Sequence, residues 1–457
     1  MTTVEEIHKS QQQLFNSNVT KPVKFRVEQL VKLKQVLKAN EQRLYDAIYA
    51  DFAKSEFETF LTELSQIYHE IDILAKNIRK WARKKRVCTG LESFPARSYI
   101  IPEPLGTVLV IGAWNYPYQL SFIPALTALA AGNTVILKPS ELPANTSRVM
   151  ADIINSTFPS SYFHVVEGGI AETTLLLEQK FDKIFFTGST PVGKVVYEAA
   201  AKNLTPVTLE LGGKSPTFVL KECNIPMAAK RIVWAKLLNA GQTCVAPDYI
   251  LAEEPIANEL IRCLVGEMER YPQDELGSCP SYLKIVNHRN FDRLQALIDS
   301  ATPCFGGKYN RDERFISPTL IANATWDDPA MRDEIFGPIL PVITFTDLDD
   351  AIRRVKERPK PLACYIYSTD KRRVNKILNE ISFGGGAVNE SLMHLTNSNL
   401  PFGGVGSSGI GSYHGKAGFD AFTHYKSIMY KPFWFEPTLK YPPYTSTKAK
   451  LIRWFLG

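Results

Sequence analysis

Apolar residues recur at helical spacing through residues 4–86, with charged residues between them. Side chains three, four and seven residues apart share one face of a helix, so this region is predicted to be helical. The clearest stripe comprises Phe60, Leu61, Leu64, Ile67, Tyr68, Ile71, Ile73, Leu74, Ile78 and Trp81. Its helix is expected to end in the basic residues 79–86, where cations interact favourably with the helix dipole. Nucleic-acid or lipid binding by these cations is the less favoured interpretation.

The pattern changes at Thr107 to short apolar runs that alternate with helical spacing. Strands are predicted at residues 107–112, 133–137, 163–166, 182–186 and 207–210. Helices are predicted between them at residues 118–130, 145–157, 170–178 and 191–202. Repeated strand–helix units of this length imply a parallel sheet with right-handed crossovers. Such sheets bind ligands at the carboxyl ends of their strands, so the chemistry is expected there.

A second α/β region is expected to follow at residues 212–400. Its predicted helices lie near residues 225–239, 255–271, 288–301, 347–357 and 370–380, with strands such as 249–252 and 364–367. Residues 88–104 contain three prolines and alternating apolar residues, which indicates an extended segment that leaves the first domain. The glycine-rich residues 402–411 are bracketed by prolines and aromatic residues, so we interpret them as an ordered loop with closely packed backbone.

Composition narrows the class of protein. The chain has 457 residues, 45% of them hydrophobic and 22% charged, which indicates a soluble globular protein of two or three domains. A net charge of +6 is small for this length and does not argue for nucleic-acid binding. The seven cysteines show no metal-ligand spacing and are odd in number, so reduced thiols in the cytoplasm are expected. Neither a signal peptide nor a spanning apolar run is found.

A glycine turn after the strand 182–186 is a candidate phosphate site. It runs from Thr187 through Gly188 and Ser189 to Val192 and Gly193, and it opens a helix. Free N–H groups and the helix dipole favour a bound phosphate at such a turn. The glycine spacing is GxxxxG, and no GK[ST] follows, which argues against a nucleotide triphosphatase. From the residues alone, an ordinary strand–helix turn is at least as good an interpretation.

Three further side chains carry candidate chemistry. Cys244 lies in a tight segment between Gly241 and Pro247, near a helix end, where a thiol can be shifted toward thiolate. Glu210 ends the strand 207–210 between two leucines, and its desolvated carboxylate would have the raised pKa that suits a general base. Asn115 precedes Tyr116 and Pro117, and an asparagine before an aromatic residue and a proline is also typical of an ordinary turn.

Several separate motifs, in order along the chain, together resemble the aldehyde dehydrogenase superfamily. They are WNYP (114–117), FTGS (186–189) with Gly193, LELGGK (209–214), GQTCVAPDY (241–249) and EIFGP (334–338). The form of the cysteine motif is most similar to the class 3 branch, and the resemblance covers about residues 5–440. The fold implied is α/β: a doubly wound, Rossmann-type parallel-sheet cofactor domain (1–86 and 106–211), an α/β catalytic domain (212–400), and a small bridging or oligomerisation element with the C-terminal tail (87–105 and 401–457).

The resemblance also implies the reaction and most residue roles. An aldehyde is oxidised to a carboxylic acid with NAD(P)+ through a Cys244 thiohemiacetal and thioester, which water activated by Glu210 hydrolyses. Asn115 and the Cys244 N–H stabilise the oxyanion. The resemblance further implies that Lys138 and Glu141 bind the adenosine ribose and that the 187–193 turn lies beside the dinucleotide. It implies that Glu334 binds the nicotinamide ribose and that Phe336 packs by the nicotinamide ring. Trp114 and Tyr116 are expected to line the substrate funnel. An alternative gives Glu334 the base role. Lys214 either orients the carboxylates or is a surface lysine.

Glu141 favours NAD, because an acid there accepts the ribose 2′-OH and repels a 2′-phosphate, although NADP is also accepted by class 3 relatives. No metal is expected, and a cytoplasmic homodimer is implied. A CoA-acylating relative and a non-catalytic protein are the rivals, and Glu210, Cys244 and Asn115 argue against them. The tail 448–456 is basic and amphipathic; we expect it to dock on a partner subunit or over the funnel, with membrane contact less favoured.

Overall fold

The computed structural model describes residues 3–274 and 282–456, so Cys279 lies outside the described residues. The chain forms two compact units. The larger combines the residues up to Trp81 with Pro104–Thr423, and the smaller combines Ala82–Glu103 with the residues from His424 onward. The division into three domains stays a prediction.

The strands are β1 (Lys85–Val87), β2 (Arg97–Pro104), β3 (Thr107–Ile111), β4 (Thr134–Lys138), β5 (Phe163–Val165), β6 (Lys183–Thr187), β7 (Val207–Glu210), β8 (Pro216–Val219), β9 (Tyr249–Glu253), β10 (Tyr309–Asn310), β11 (Phe315–Ile316), β12 (Thr319–Ile321), β13 (Ile339–Phe345), β14 (Ala363–Tyr367), β15 (Gly385–Val388), β16 (Gly409–Ile410) and β17 (Thr423–Tyr430).

The α-helices are α1 (Val4–Asn16), α2 (Val23–Ala39), α3 (Glu41–Phe52), α4 (Glu56–Thr59), α5 (Ser65–Trp81), α6 (Gln119–Ala131), α7 (Ala144–Thr157), α8 (Ile170–Glu178), α9 (Thr190–Ala201), α10 (Ile225–Leu237), α11 (Glu254–Met268), α12 (His288–Asp299), α13 (Leu348–Lys356), α14 (Lys371–Glu380), α15 (Gly415–Ala421) and α16 (Ser446–Leu456). A π-helical turn, Phe60–Leu64, joins α4 to α5.

The first sheet has the strand order β16-β7-β6-β3-β4-β5. Strands β3 to β7 are parallel, whereas β16 is antiparallel to β7. Their near-continuous apolar sequences, such as TVLVI in β3, follow from burial on both faces of the sheet. The register aligns the carboxyl ends, because Ile111 lies opposite Lys138 and Phe186, and Thr187 lies opposite Glu210. The predicted parallel sheet is confirmed.

The second sheet has the order β12-β13-β9-β8-β14-β15, and all of its strands are parallel. Helices α10 and α11 pack against each other within this region. The glycine-rich segment 402–411 is ordered, as predicted: Phe402 pairs with Tyr413, and Gly409 pairs with Glu210 at the end of β7. This segment therefore closes one edge of the first sheet next to a candidate site residue.

The smaller unit contains a three-stranded sheet of order β1-β2-β17. Here one expectation was wrong: α5 ends at Trp81, and the basic residues Lys85 and Arg86 belong to strand β1, opposite Ile100 and Tyr99. The Lys84 ammonium lies 3.7 Å from the centre of the Tyr99 ring, so a cation–π contact holds a side chain expected at a helix end.

The C-terminal residues form helix α16, and its Trp454 side chain is 79% exposed. Leu451 on the same helix is half exposed. The expected docking of this tail on protein stays a prediction. Within residues 3–274 and 282–456, no helix combines the length and the apolar character needed to cross a membrane.

Candidate active site

Cys244 follows a strained turn at the end of α10. The 3₁₀ turn Leu238–Gly241 contains three consecutive residues with positive φ: Asn239 at 55°, Ala240 at 50° and Gly241 at 73°. Left-handed backbone is unfavourable for residues other than glycine, so surrounding contacts have to hold this turn. The partly buried Cys244 lies just after this turn, and the neighbouring Gln242 and Thr243 contact the loop after β3.

The loop after β3 meets the Cys244 loop through hydrogen bonds. The Asn115 side-chain amide donates to the Gln242 carbonyl oxygen at 3.1 Å, and the Asn239 side-chain amide donates to the Asn115 carbonyl oxygen at 2.8 Å. The Tyr116 and Thr243 hydroxyls lie 2.7 Å apart. Asn115 and Tyr116 are both buried. The Asn115 amide has a second N–H, for which the described residues show no acceptor, so it can bind a further oxygen atom.

Glu210 ends β7, and its carboxyl group is buried without a hydrogen-bond partner among the described residues. The residue is 2% exposed, and within the described residues neither carboxylate oxygen has a hydrogen-bond partner. Burial raises the pKa of Glu210 well above its ordinary value. This agrees with the desolvation expected from its leucine neighbours. An unpartnered buried carboxyl is costly for stability, which makes it a strong candidate for chemistry.

Burial raises the pKa of the Cys244 thiol, and the charges of Glu334 and Glu210 raise it further. The charges of Glu334 and Glu210 therefore act on the Cys244 thiol, which places the thiol and the two acids within electrostatic reach of one another. Hydrogen bonds from the backbone N–H groups of Cys244 and Val245 act on this pKa in the opposite direction. The expected shift toward thiolate beside a nicotinamide cation stays a prediction.

Glu334 reaches this point because Gly212 has no side chain. A Cβ on Gly212 would lie 2.1 Å from Glu334 Oε2, so only glycine permits the carboxylate to lie there. Glu334 Oε1 is buried without a hydrogen-bond partner among the described residues. Burial, followed by the charge of Asp248, raises the pKa of Glu334. Phe336 has a φ of 52°, and its ring meets Trp114 edge-to-face at 5.2 Å between ring centres.

The turn from β6 into α9 has the shape of a phosphate cradle. A Cβ on Gly188 would lie 2.5 Å from Phe186 Cζ, and one on Gly193 would lie 2.6 Å from Leu211 Cδ2. Ser189 is the N-cap of α9, as predicted, but its side chain makes no capping hydrogen bond, which leaves first-turn N–H groups free. The Thr187 hydroxyl is buried without a partner in the described part of the chain. Val192 is about half exposed on the first turn.

Lys138 ends β4, at the same edge of the first sheet as this turn but separated from β6 by β3. It is buried, and its ammonium donates to the Pro139 carbonyl oxygen at 2.7 Å and lies 3.9 Å from Glu141 Oε2. Burial lowers the pKa of Lys138, while the charges of Glu141 and Glu172 act in the opposite direction. The Glu141 side chain is half exposed and reaches solvent. A buried ammonium with donors to spare, next to an accessible carboxylate, suits a polyhydroxyl group such as ribose.

The family follows from comparison with known proteins. The family model described as "Aldehyde dehydrogenase family" matches residues 2–428. The chain belongs to the aldehyde dehydrogenase family.

Among its relatives, this aldehyde dehydrogenase is 47% identical to the 4,4'-diaponeurosporen-aldehyde dehydrogenase of Staphylococcus aureus, over 100% of this chain and 99% of the relative. It is 40% identical to the dimeric NADP-preferring aldehyde dehydrogenase of Rattus norvegicus, over 99% and 100% of the two chains. The solved structure of Staphylococcus aureus AldH in its substrate-bound state superposes with a TM-score of 0.97, at 47% identity over 100% of both chains. The enzyme is therefore class 3-like and NAD(P)-dependent.

One supporting network of this aldehyde dehydrogenase could not be read from the sequence. The Lys214 ammonium donates to Asp248 Oδ2 at 2.6 Å and to the carbonyl oxygens of Ala330 and Asp333. Asp248 Oδ1 in turn accepts from the Ile335 N–H at 3.1 Å. The Lys214 side chain is therefore not that of a surface lysine. Its three hydrogen bonds fix the segment that carries Glu334, and none of them is made to the Glu334 or Glu210 carboxylate itself. Within residues 3–274 and 282–456, no group of three or more His, Cys, Asp and Glu side chains could hold a metal ion.

Proposed function

We propose that the enzyme oxidises aldehydes to carboxylic acids through a thiohemiacetal and a thioester on Cys244. Aldehyde oxidation follows from the family; the covalent route and the residue roles are our proposal. The observation that carries it is the buried Glu210 carboxyl, which has no hydrogen-bond partner among the described residues and whose charge acts on the Cys244 thiol. A nucleophile with a desolvated base nearby is what formation and hydrolysis of a thioester require.

The first step forms the carbon–sulfur bond. The thiol loses its proton to water, the thiolate attacks the aldehyde carbon, and the carbonyl electron pair moves to oxygen. The free Asn115 side-chain N–H and the Cys244 backbone N–H stabilise the oxyanion, because both are fixed before the charge develops. Asn115 is held for this purpose by its bond to the Gln242 carbonyl oxygen.

When bound, the nicotinamide ring supplies positive charge beside the thiol and accepts the hydride that leaves the aldehyde carbon. The chain offers matching contacts for the cofactor. Lys138 and Glu141 would hold the adenosine ribose, and the turn of Thr187, Gly188, Ser189, Val192 and Gly193 would hold the pyrophosphate. Glu334, one of whose oxygens has no partner among the described residues, would hold the nicotinamide ribose. Phe336, whose ring contacts Trp114, would pack beside the nicotinamide ring.

The last step hydrolyses the thioester. The Glu210 carboxylate takes a proton from water as the water oxygen attacks the thioester carbon, and collapse of the tetrahedral adduct expels the Cys244 thiolate. A raised pKa brings this carboxylate closer to the basicity that proton abstraction from water needs. We prefer Glu210 over Glu334 as the base because Lys214 and Asp248 fix the segment that carries Glu334, whereas neither Glu210 oxygen has a partner among the described residues.

We further propose that NAD is the better cofactor, because the accessible Glu141 carboxylate accepts a ribose 2′-OH and repels a 2′-phosphate. A rat relative is named NADP-preferring, so a direct comparison of kcat/KM for the two cofactors decides this point. Higher or equal kcat/KM with NADP would contradict it.

We also propose a homodimer. The rat relative is named dimeric, and the edge strand β17 exposes the apolar side chains of Ile428, Met429 and Tyr430. Exposed apolar edge strands readily pair with another chain. Light scattering coupled to size-exclusion chromatography tests this, and a monomeric mass at micromolar concentration would contradict it.

Nicotinamide absorbance provides the main test of the proposed activity. Cofactor reduction with an aldehyde should occur without CoA, and CoA should not raise its rate. Trp114 and Tyr116, which flank the Asn115 loop, are proposed to line the substrate funnel. A panel from short aliphatic to long polyene and aromatic aldehydes, quantified as carboxylic acid product, would identify the substrate class. A requirement for CoA would contradict hydrolysis by Glu210.

A further inference from the structure

Three charged side chains from the N-terminal helical region are buried behind the active-site loops. Lys54 is 1%, Glu58 6% and Glu63 0% exposed. Charged side chains are almost never buried so completely unless they have partners. Here the partners lie on the two loops that carry Asn115 and Cys244.

Glu63 holds the Asn115 loop at its far end. Its Oε1 accepts from the Lys54 ammonium at 2.8 Å, and its Oε2 accepts from the Tyr118 N–H at 2.7 Å and the Gln119 N–H at 3.3 Å. These N–H groups open helix α6, whose N-cap residue, Tyr118, makes no side-chain cap of its own. The Lys54 ammonium also lies 4.4 Å from the centre of the Tyr116 ring, one residue from Asn115.

Glu58 holds the Cys244 loop. Its Oε1 accepts from the Asn239 N–H at 2.8 Å, at the first of the three left-handed residues before Cys244. The Asn239 side-chain amide then donates to the Asn115 carbonyl oxygen at 2.8 Å and to the Gln242 carbonyl oxygen at 3.0 Å. A single residue, fixed by Glu58, therefore ties the loop of the oxyanion donor to the loop of the nucleophile.

Electrostatics allow this arrangement. Burial raises the pKa of Glu58 and the charge of Glu63 adds to this, whereas the Lys54 ammonium and the Asn239 N–H act in the opposite direction. Lys54 is thus shared by two acids and one aromatic face. None of the three side chains takes a position in the proposed chemistry, so their burial needs another explanation.

We propose that Glu58, together with the Lys54–Glu63 pair, acts as a set of positioning residues that fix the spacing between the Asn115 side chain and the Cys244 thiol. This inference rests on the proposed function, because that spacing matters only if both groups act on one carbonyl. Small displacements of reacting groups carry large rate effects, so loosening the Asn239 turn should slow chemistry more than cofactor binding.

The test is the single-turnover rate of cofactor reduction, with enzyme in excess over aldehyde, in Glu58→Ala, Glu58→Gln and Glu56→Ala. Glu56 is the matched control, since it lies on the same short helix and is exposed. Glu58→Ala should slow the single turnover by about 100-fold. Its cofactor Kd should stay within about twofold, because Glu58 holds the turn at Asn239 and not the turn at 187–193 that is proposed to bind the pyrophosphate. Glu58→Gln should recover most of the rate, since its amide oxygen can accept from the Asn239 N–H.

A wild-type single-turnover rate in folded Glu58→Ala would overturn the proposal, as would equal slowing in Glu58→Gln and Glu58→Ala. If Glu58→Ala does not fold, Asn239→Gly replaces it: glycine keeps the left-handed turn but removes the amide that bridges the loops. An unchanged rate in that variant would also overturn the proposal. Cys244→Ala distinguishes failure of the proposed function from failure of the positioning role. Retained turnover in Cys244→Ala would refute the covalent route itself. An inactive Cys244→Ala together with Glu58 variants of normal rate would refute only the positioning role.

Discussion

Replacement of Glu210 by glutamine isolates the hydrolytic step. The Glu210 carboxyl is 2% exposed and has no partner among the described residues, so burial favours its neutral form. Glutamine has the same shape and is also neutral, and we therefore expect Tm to change little. It cannot take a proton from water, so thioester formation should proceed and thioester hydrolysis should slow.

The expected magnitude follows from the role of a general base. Such groups contribute about 10²–10⁴-fold to a rate, which corresponds to about 3–5 kcal/mol of transition-state stabilisation. In stopped flow, Glu210→Gln should give a burst of reduced cofactor of about one equivalent per active site, followed by a steady rate lower by that factor. The exposed Glu198, on α9, supplies a control: Glu198→Gln should match the wild type in both phases.

The pH dependence gives a second signature. Hydrolysis needs the ionised carboxylate, so the wild-type steady rate should fall as pH drops through the raised pKa of Glu210, at a higher pH than an ordinary glutamate would give. This fall in the steady rate at low pH should be absent in Glu210→Gln. A variant with a normal burst and a normal steady rate would refute the reasoning and transfer the base role to Glu334. Loss of the burst itself would require Glu210 to act earlier, as the acceptor of the thiol proton.

Three other variants test separate parts of the account. Cys244→Ala should abolish aldehyde oxidation but leave cofactor binding intact by calorimetry, and turnover above a small fraction of wild type would contradict the covalent route. Glu141→Gln should narrow the ratio of kcat/KM for NAD over NADP, because the 2′-phosphate no longer meets a like charge; an unchanged ratio would remove Glu141 from cofactor choice. Removal of residues 446–457 should leave kcat/KM for small aldehydes unchanged and alter kcat/KM for long apolar aldehydes. If kcat/KM is unchanged for aldehydes of every chain length, the tail does not act as a lid over the substrate funnel. Sedimentation of the full-length protein with anionic vesicles would favour membrane contact of the tail.

The five parallel strands of the first sheet could be predicted to within a residue or two, whereas β16 lies in the segment predicted as an ordered loop. Strand β7 lies at the predicted residues, Val207–Glu210, and β4 is shifted by one residue, to Thr134–Lys138. Buried parallel strands are continuous apolar runs bounded by polar turns, and this signal is local. Local signals indicated Glu210, at a strand end, and Cys244, after Gly241, whereas the roles of Asn115 and Glu334 came from the family resemblance.

The supports of the site could not be predicted, because their partners are distant in sequence. Glu58 binds Asn239, 181 residues away, and nothing local marks such a pair. One signal was present: Glu63 and Glu70 fall on the helical stripe that contains Ile67 and Leu74, where a solvated acid would not be expected. Both acids are buried, and Glu70 accepts from the Gly415 N–H at 2.8 Å. Acids within an apolar stripe are thus a usable indication of buried polar contacts.

The most direct test of the covalent mechanism is the mass of the enzyme during turnover. Glu210→Gln, mixed with NAD and an aldehyde it accepts and quenched in acid within the burst, should gain the mass of one acyl group, and peptide mapping should place that group on Cys244. The double variant Cys244→Ala with Glu210→Gln should gain no mass. An unmodified Cys244 at a time when one equivalent of cofactor has been reduced, or an acyl group on another residue, would contradict the central claim.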